Sequence, residues 1–288
     1  MQPLLTVNRL LALLLYCGVA ALALGQRAPV EAKHGMVVSV HELGSAAGVE
    51  ILRKGGNAVD AAIATGFALA VTHPAAGNLA GGGFMLIHLA DGNRQAAFDY
   101  RECAPGSASR DMYLAPDGSV LTDDRSARRG WRASGVPGTV AGFAAAFEKY
   151  GSGKVTWAEL IEPARRLAAD GHVLTQGAAK EMLRHKSLLQ HFPESKRIYL
   201  KGGAVWKTGE LWRQPELAAT LARLQKEGPR EFYEGETARR IAAAMQAHGG
   251  TIALDDLKAY RAIERVPLRQ TYRGHELVVL PPPSSGGV

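Results

Sequence analysis

From Glu42 to Lys54 the apolar residues Leu43, Ala46, Ala47, Ile51 and Leu52 recur at helical spacing, and Gly55-Gly56 stop the run. That pattern predicts a helix and its C-cap. Asn57 is positioned to cap a second helix, with Asp60 three residues on, where a carboxylate favours the free N–H groups and the positive dipole end. Ala58 to Val71 is apolar nearly all round, and a helix without a polar face is buried on every side. It is expected as a core helix ending before Pro74. A glycine-rich loop, Gly77 to Gly83, leads into Phe84–Leu89, an apolar run that reads as a buried strand. Asp91-Gly92 is a tight-turn signal, and Arg94 to Tyr100 returns as the second strand of a hairpin. Arg101 comes at the strand's end, where a side chain stands at the rim of a sheet on a fixed backbone.

The second half is mostly helical. Thr156 and Glu159 have capping-box spacing, and Pro163 is expected to kink or split the helix that they start. Pro215 to Glu227 carries a stripe of Leu217, Leu221 and Leu224 closed by Gly228, and Ile241 with Met245 marks a further helix closed by Gly249-Gly250. Strands are expected again at Ile263–Tyr272 and Glu276–Leu280 around an Arg273-Gly274 turn, before the Pro- and Gly-rich run Pro281 to Val288. No internal repeat and no linker long enough to divide domains is visible in the sequence.

Composition sets the class and compartment. With 47% hydrophobic and 21% charged residues among 288, the chain reads as packed and globular. Arg9 precedes an apolar run from Leu10 to Leu24, with small residues Ala23 and Gly25 where a signal peptidase reads, so residues 1–25 are expected as a signal peptide and Gln26 as the first mature residue. The run is shorter than the ~20 residues a spanning helix needs, which argues against a stable membrane anchor. The protein is thus expected to be exported, to a periplasm or the extracellular space. Of the two cysteines, Cys17 leaves with the peptide, and Tyr16 before it is too bulky for a lipid-attachment site. Cys103 cannot staple the fold by itself and reads as a packed or idle thiol. Removing Arg9 lowers the formal charge from +7 to +6. Arg125, Arg128, Arg129 and Arg132 cluster, but without an aromatic platform or a recognition-helix pattern, so no nucleic-acid partner is expected.

Most motif chemistry is absent. The glycine loop precedes a strand, whereas a phosphate loop comes after one and opens a helix. Gly153-Lys154 fails as a P-loop because Glu148 and Val155 occupy the positions of the first glycine and the hydroxyl residue. No two histidines stand at i and i+4, and there is no G-x-S-x-G elbow, so neither a metal nor a serine-hydrolase site is expected. Ser284 and Ser285 beside glycines read as a turn. Arg101, between Asp99 and Glu102, is either a binding residue or a surface ion pair of little energetic worth.

Eight segments in order bear on that choice: GGNAVDAAIATGFALAV, AGGGFMLIHL, FDYRECAP, GVPGTVAGF, KYGSGKVTWAELIEPARRLAADG, EFYEGETARRIAAAM, GGTIALDDLKAY and PPPSSGG. Together, from about Lys33 to Val288, they resemble γ-glutamyltransferase. The resemblance implies an α+β fold of the N-terminal nucleophile hydrolase type, a four-layer αββα sandwich that is incomplete in residues 26–288. It implies a proenzyme that cuts itself, exposing a threonine at the start of a small subunit, the partner made from the same precursor. That threonine attacks the γ-glutamyl amide of glutathione and passes the acyl group to water or an amine, with its own α-amine as base and no cofactor. The arginine of D-x-R-E-x-A-P would pair with the donor's α-carboxylate, and here it is Arg101, a fork suited to that group. Asp99 and Glu102 would orient its guanidinium or play a structural part, and Gly81, Gly82 and Gly83 would permit close backbone packing.

The family places its threonine further along than PPPSSGG, so the nucleophile is expected beyond Val288. A truncated gene or a fragment of a longer chain accounts for this better than a stand-alone large-subunit relative, and the chain alone is expected to be inactive. Two other readings stay open: a cephalosporin acylase of the same superfamily, and a non-catalytic exported scaffold.

Overall fold

The computed structural model describes residues 29–90 and 94–286. The expected signal peptide at 1–25 and the Asp91-Gly92 turn lie outside the described residues. The chain divides into Met1–Met36 and Val37–Val288, and every helix and strand below belongs to the second unit. In the first, residues 29–36 form neither helix nor strand. No described helix is long and apolar enough to cross a membrane.

Helices α1 (Glu42–Arg53) and α2 (Ala58–Thr72) form where the periodicity puts them. Asn57 Oδ1 accepts from the N–H groups of Val59 and Asp60 at 2.9 and 3.0 Å, and Asp60 Oδ2 accepts from Asn57 N–H at 2.9 Å, a reciprocal cap. The same Asp60 oxygen receives Ser152 N–H at 3.1 Å, and Asn57 Nδ2 donates to the Tyr150 carbonyl at 2.7 Å. The start of α2 is thereby tied to the end of α3 (Thr139–Tyr150). As its all-round apolar sequence predicts, α2 is the core helix: Ile63, Ala64, Phe67, Ala68 and Val71 are fully buried. Phe67 meets the rings of Phe143 and Trp157 edge-on at 5.2 and 5.4 Å, and its burial contributes about 1.5–3 kcal/mol.

Helix α4 (Trp157–Asp170) starts at the expected Thr156–Glu159 capping box, with Thr156 N–H donating to Glu159 Oε2 at 2.8 Å. It runs on through Pro163 without dividing. Burial of Pro163 together with Leu160, Ile161 and Ala164 offsets the hydrogen bond that the proline forfeits. Strand β3 (His172–Val173) and helices α5 (Gln176–Arg184), α6 (Lys186–His191) and α7 (Pro193–Tyr199) lead to β4 (Leu211–Trp212), which pairs with β3. Then come α8 (Pro215–Glu227), α9 (Glu231–Glu234), α10 (Glu236–Ala247) and α11 (Leu254–Ala259). Gly228 and Gly249, both at positive φ, lie just past the ends of α8 and α10 as expected.

The fold is α+β. Strands β1 (Phe84–Leu89) and β2 (Arg94–Asp99) form the expected antiparallel hairpin, with Phe84 opposite Asp99 and Leu89 opposite Arg94. Strand β5 (Ile263–Arg265) pairs with the other side of β2. The inner face of this sheet presents Met85, Ile87, Leu89, Ala96 and Phe98 to the helices, and Phe98 packs edge-on against Tyr150. β1 is not the fully buried strand its apolar run predicts. It is the sheet's edge among the described residues, and its alternate residues Leu86 (42% exposed) and His88 face outward.

The expected strand Ile263–Tyr272 is two strands, because Pro267 has no N–H to donate and the ladder cannot continue through it. After the break, β6 (Leu268–Tyr272) pairs with β7 (His275–Val279) as a separate hairpin whose first strand is exposed throughout. Arg273 and Gly274, both at positive φ, make its turn.

One buried cluster has a pH consequence. His41 caps α1, its Nδ1 accepting Leu43 N–H at 3.2 Å, and its ring lies 6.2 Å from that of His172. The His172 side chain is itself buried, 3% exposed. Burial, and then the nearby His41, pull the His172 imidazole from 6.5 down to about 4. An unfolded chain takes up this proton as pH falls through 6.5, whereas the folded chain resists until about 4. The stabilisation is therefore complete above the upper value and lost on descending the window, with a ceiling of about 3 kcal/mol. Thermal midpoints of the folded protein should drop more steeply between neutral pH and the lower end of the window than those of His172→Leu. Parallel curves for the two proteins would refute this.

Candidate functional site

Beyond β2 the main chain is held at almost every residue. Gly83 and Tyr100 exchange backbone hydrogen bonds at 3.0 and 3.3 Å, which carries the hairpin ladder one step past β2. Asp99 Oδ1 accepts Arg101 N–H at 3.1 Å, and the Tyr260 hydroxyl donates to the Arg101 carbonyl at 2.7 Å. Cys103 and Val136 then form an antiparallel bridge, their N–H groups donating at 3.3 and 2.8 Å. The result is a pinned backbone with the side chains of Arg101, Glu102 and Cys103 exposed.

Two glycines let this strand lie where it does. A Cβ on Gly82 would stand 2.6 Å from the Tyr100 carbonyl oxygen and 2.7 Å from Glu102 N. One on Gly138 would stand 2.1 Å from both the Tyr100 carbonyl oxygen and the Tyr260 hydroxyl. Neither position has room for any side chain. Gly81 supplies a different contact, accepting from the N–H groups of Gly138 and Thr139 at 2.7 and 3.1 Å. Asn78 Oδ1 closes the loop by accepting from Gly81 N–H at 2.9 Å and the Thr139 hydroxyl at 2.6 Å. The glycine loop thus packs backbone on backbone, as expected.

Arg101 opens into a cleft of about 500 Å³, bounded by residues 101–105, Ala80, Met112, Tyr113 and the 133–135 segment. Among the described residues no side chain pairs with or hydrogen-bonds its guanidinium. Asp99 does not orient that guanidinium. Its carboxylate, buried at the sheet's end, pairs with Arg265 of β5, receiving Nε at 2.8 Å and a terminal nitrogen at 2.7 Å. Glu102 likewise forms no ion pair with Arg101. Burial, and then the charges of Asp99 and Glu102, push the Cys103 thiol above its ordinary value, which disfavours the thiolate. The cleft therefore presents a planar cation without an ion-pair partner among the described residues.

Ser284 and Ser285 do not line the cleft, and Ser284 sits in the turn its neighbours predict, its N–H donating to the Pro281 carbonyl at 3.2 Å. No group of three or more metal-ligating side chains is found among the described residues. Tyr260, Arg265 and Gly138 do not stand out in the sequence. Their only trace there is membership of segments whose pattern gives no reason to join them to Arg101, over 150 residues away for the first two.

The gamma-glutamyltranspeptidase family model matches residues 44–288. The glutathione hydrolase proenzyme of Escherichia coli (strain K12) is 47% identical over 261 residues, covering 90% of this chain and 44% of that protein. The glutathione hydrolase proenzyme of Pseudomonas sp. (strain A14) is 45% identical over 280 residues, covering 97% and 48%. The crystal structure of Helicobacter pylori gamma-glutamyltranspeptidase superposes with a TM-score of 0.86 at 41% identity, covering 90% of this chain and 73% of that one. The chain spans about half the length of the curated relatives it matches. On the extent of these matches, and with the architecture they share, the chain belongs to the gamma-glutamyltranspeptidase family.

Proposed function

We propose that this chain is the large-subunit portion of an exported γ-glutamyltransferase and glutathione hydrolase, and that Arg101 binds the α-carboxylate of the γ-glutamyl donor. The observation that carries the reading is the Arg101 guanidinium, exposed on a pinned backbone and without a protein partner among the described residues. A carboxylate completes that fork with two parallel hydrogen bonds.

The nucleophile is a threonine beyond Val288, freed when the precursor cuts itself, and the name proenzyme borne by two relatives supports such processing. The threonine Oγ bonds to the γ-carbonyl carbon while its proton passes to the threonine α-amine and then to the departing amine. Water or an acceptor amine next attacks the ester, gives up a proton by the same route, and regenerates the hydroxyl. The raised thiol of Cys103 takes no part. The small subunit covers the outer face of the β1–β2–β5 sheet, where Leu86 and Ile263 stand exposed, and completes the four-layer sandwich.

The test compares three amides with the processed full-length protein: an L-γ-glutamyl anilide, a glutaryl anilide lacking the α-amine, and a cephalosporin side-chain amide. Turnover of the γ-glutamyl anilide alone is expected. Faster cleavage of the glutaryl or cephalosporin amide would replace this reading with the acylase one.

A further inference from the structure

Among the described residues no protein group hydrogen-bonds or pairs with the Arg101 guanidinium, so the fixed point from which it reaches is its own main chain. Two side chains fix that main chain on either side of the Arg101 Cα. Asp99 receives the N–H, and Tyr260 donates to the carbonyl. We infer that Tyr260 is a positioning residue for the donor site, acting through the Arg101 carbonyl. The inference rests on the reading of Arg101 as the carboxylate-binding residue.

Tyr260 comes directly after α11 and is 4% exposed. Its ring stacks on Tyr233 at 5.9 Å with the planes 10° apart, and the Tyr233 hydroxyl is itself occupied, donating to the Pro137 carbonyl at 3.1 Å. The ring of Tyr260 is thus fixed by packing and its hydroxyl by direction. That hydroxyl sits in the notch left by the missing side chain of Gly138, so the approach to Arg101 is built into two separate segments. Its one proton goes to the Arg101 carbonyl. A donor fixed in this way holds the strand end still, and a binding group on a held backbone loses less freedom when its ligand arrives.

A packing role alone would be fulfilled by phenylalanine. Tyr260→Phe keeps the ring and the stack and removes only the donor. In the processed full-length protein, Tyr260→Phe is expected to raise KM for an L-γ-glutamyl anilide about 3- to 10-fold with kcat nearly unchanged, the scale of one hydrogen bond. In an Arg101→Ala background the same change should leave kcat/KM within about twofold, since the group being positioned is gone. The KM for an acceptor amine should not move. An equal loss in both backgrounds would make Tyr260 a general structural residue, and no loss in the parent would show that its hydroxyl positions nothing. Should Arg101→Ala by itself leave donor use intact, the reading of the cleft fails and this inference with it. Should Arg101→Ala be severe while Tyr260→Phe is silent, only the inference fails.

Discussion

Arg101→Ala in the processed full-length protein should lower kcat/KM for γ-glutamyl donors by roughly 30- to 5,000-fold, the equivalent of about 2–5 kcal/mol for stranding a buried carboxylate without its partner. The loss should appear in binding and not in folding. The guanidinium forms no hydrogen bond or ion pair with a protein group among the described residues, so its removal breaks no polar interaction, and the thermal midpoint should shift by no more than an ordinary surface substitution, within about ±0.5 kcal/mol. Arg101→Lys should recover only part of the activity, because an ammonium supplies charge without the planar fork. Donor kinetics with an L-γ-glutamyl anilide decide the matter, and a variant as active as the parent would remove Arg101 from the site.

Expressed alone, the 288-residue chain should neither turn over γ-glutamyl amides nor cut itself, because both steps are assigned to a threonine outside it. It should also associate with itself. Leu86, Ile263, Val266 and Leu268 are 42 to 85% exposed, β1 has an unpaired edge among the described residues, and the β6–β7 hairpin pairs only with itself. A lone hairpin is marginal in water, and open edges with apolar faces recruit other chains. Adding a separately made C-terminal portion of a full-length relative, starting at its threonine, should reduce association and bring turnover. Light scattering and a chromogenic γ-glutamyl assay on the same samples measure both. Robust turnover by the chain alone, abolished by a substitution within it, would show that it carries its own nucleophile.

The parts of the fold legible in the sequence are local. The caps at Asn57 and Thr156 satisfy backbone groups two or three residues away, so the spacing contains the answer. The β1–β2 hairpin and the place of Arg101 just past it come from one short stretch. Chemistry joined from far apart is not legible. The partner of Asp99 is Arg265, brought in by β5, and alternation within residues 94–101 cannot point to it. The outward face of β1 escapes the sequence because an apolar run does not say whether a second layer covers it. The division at Pro267 is a local signal that the apolar pattern overrode, since proline within a strand pattern argues for a break on its own.

The distance along the chain between Arg101 and its anchors also orders events in time. Tyr260 lies 159 residues downstream and Arg265 lies 166 residues from Asp99. Closing a loop of that length costs entropy before any contact repays it, and such pairings form late in folding. During synthesis from the N-terminus, the β1–β2 hairpin and the arginine after it emerge long before the residues that fix them. The cleft beside Arg101 therefore becomes ordered only after nearly the whole of this chain has been made. A nascent or interrupted chain would display the arginine on a main chain not yet held in place, until β5 has docked.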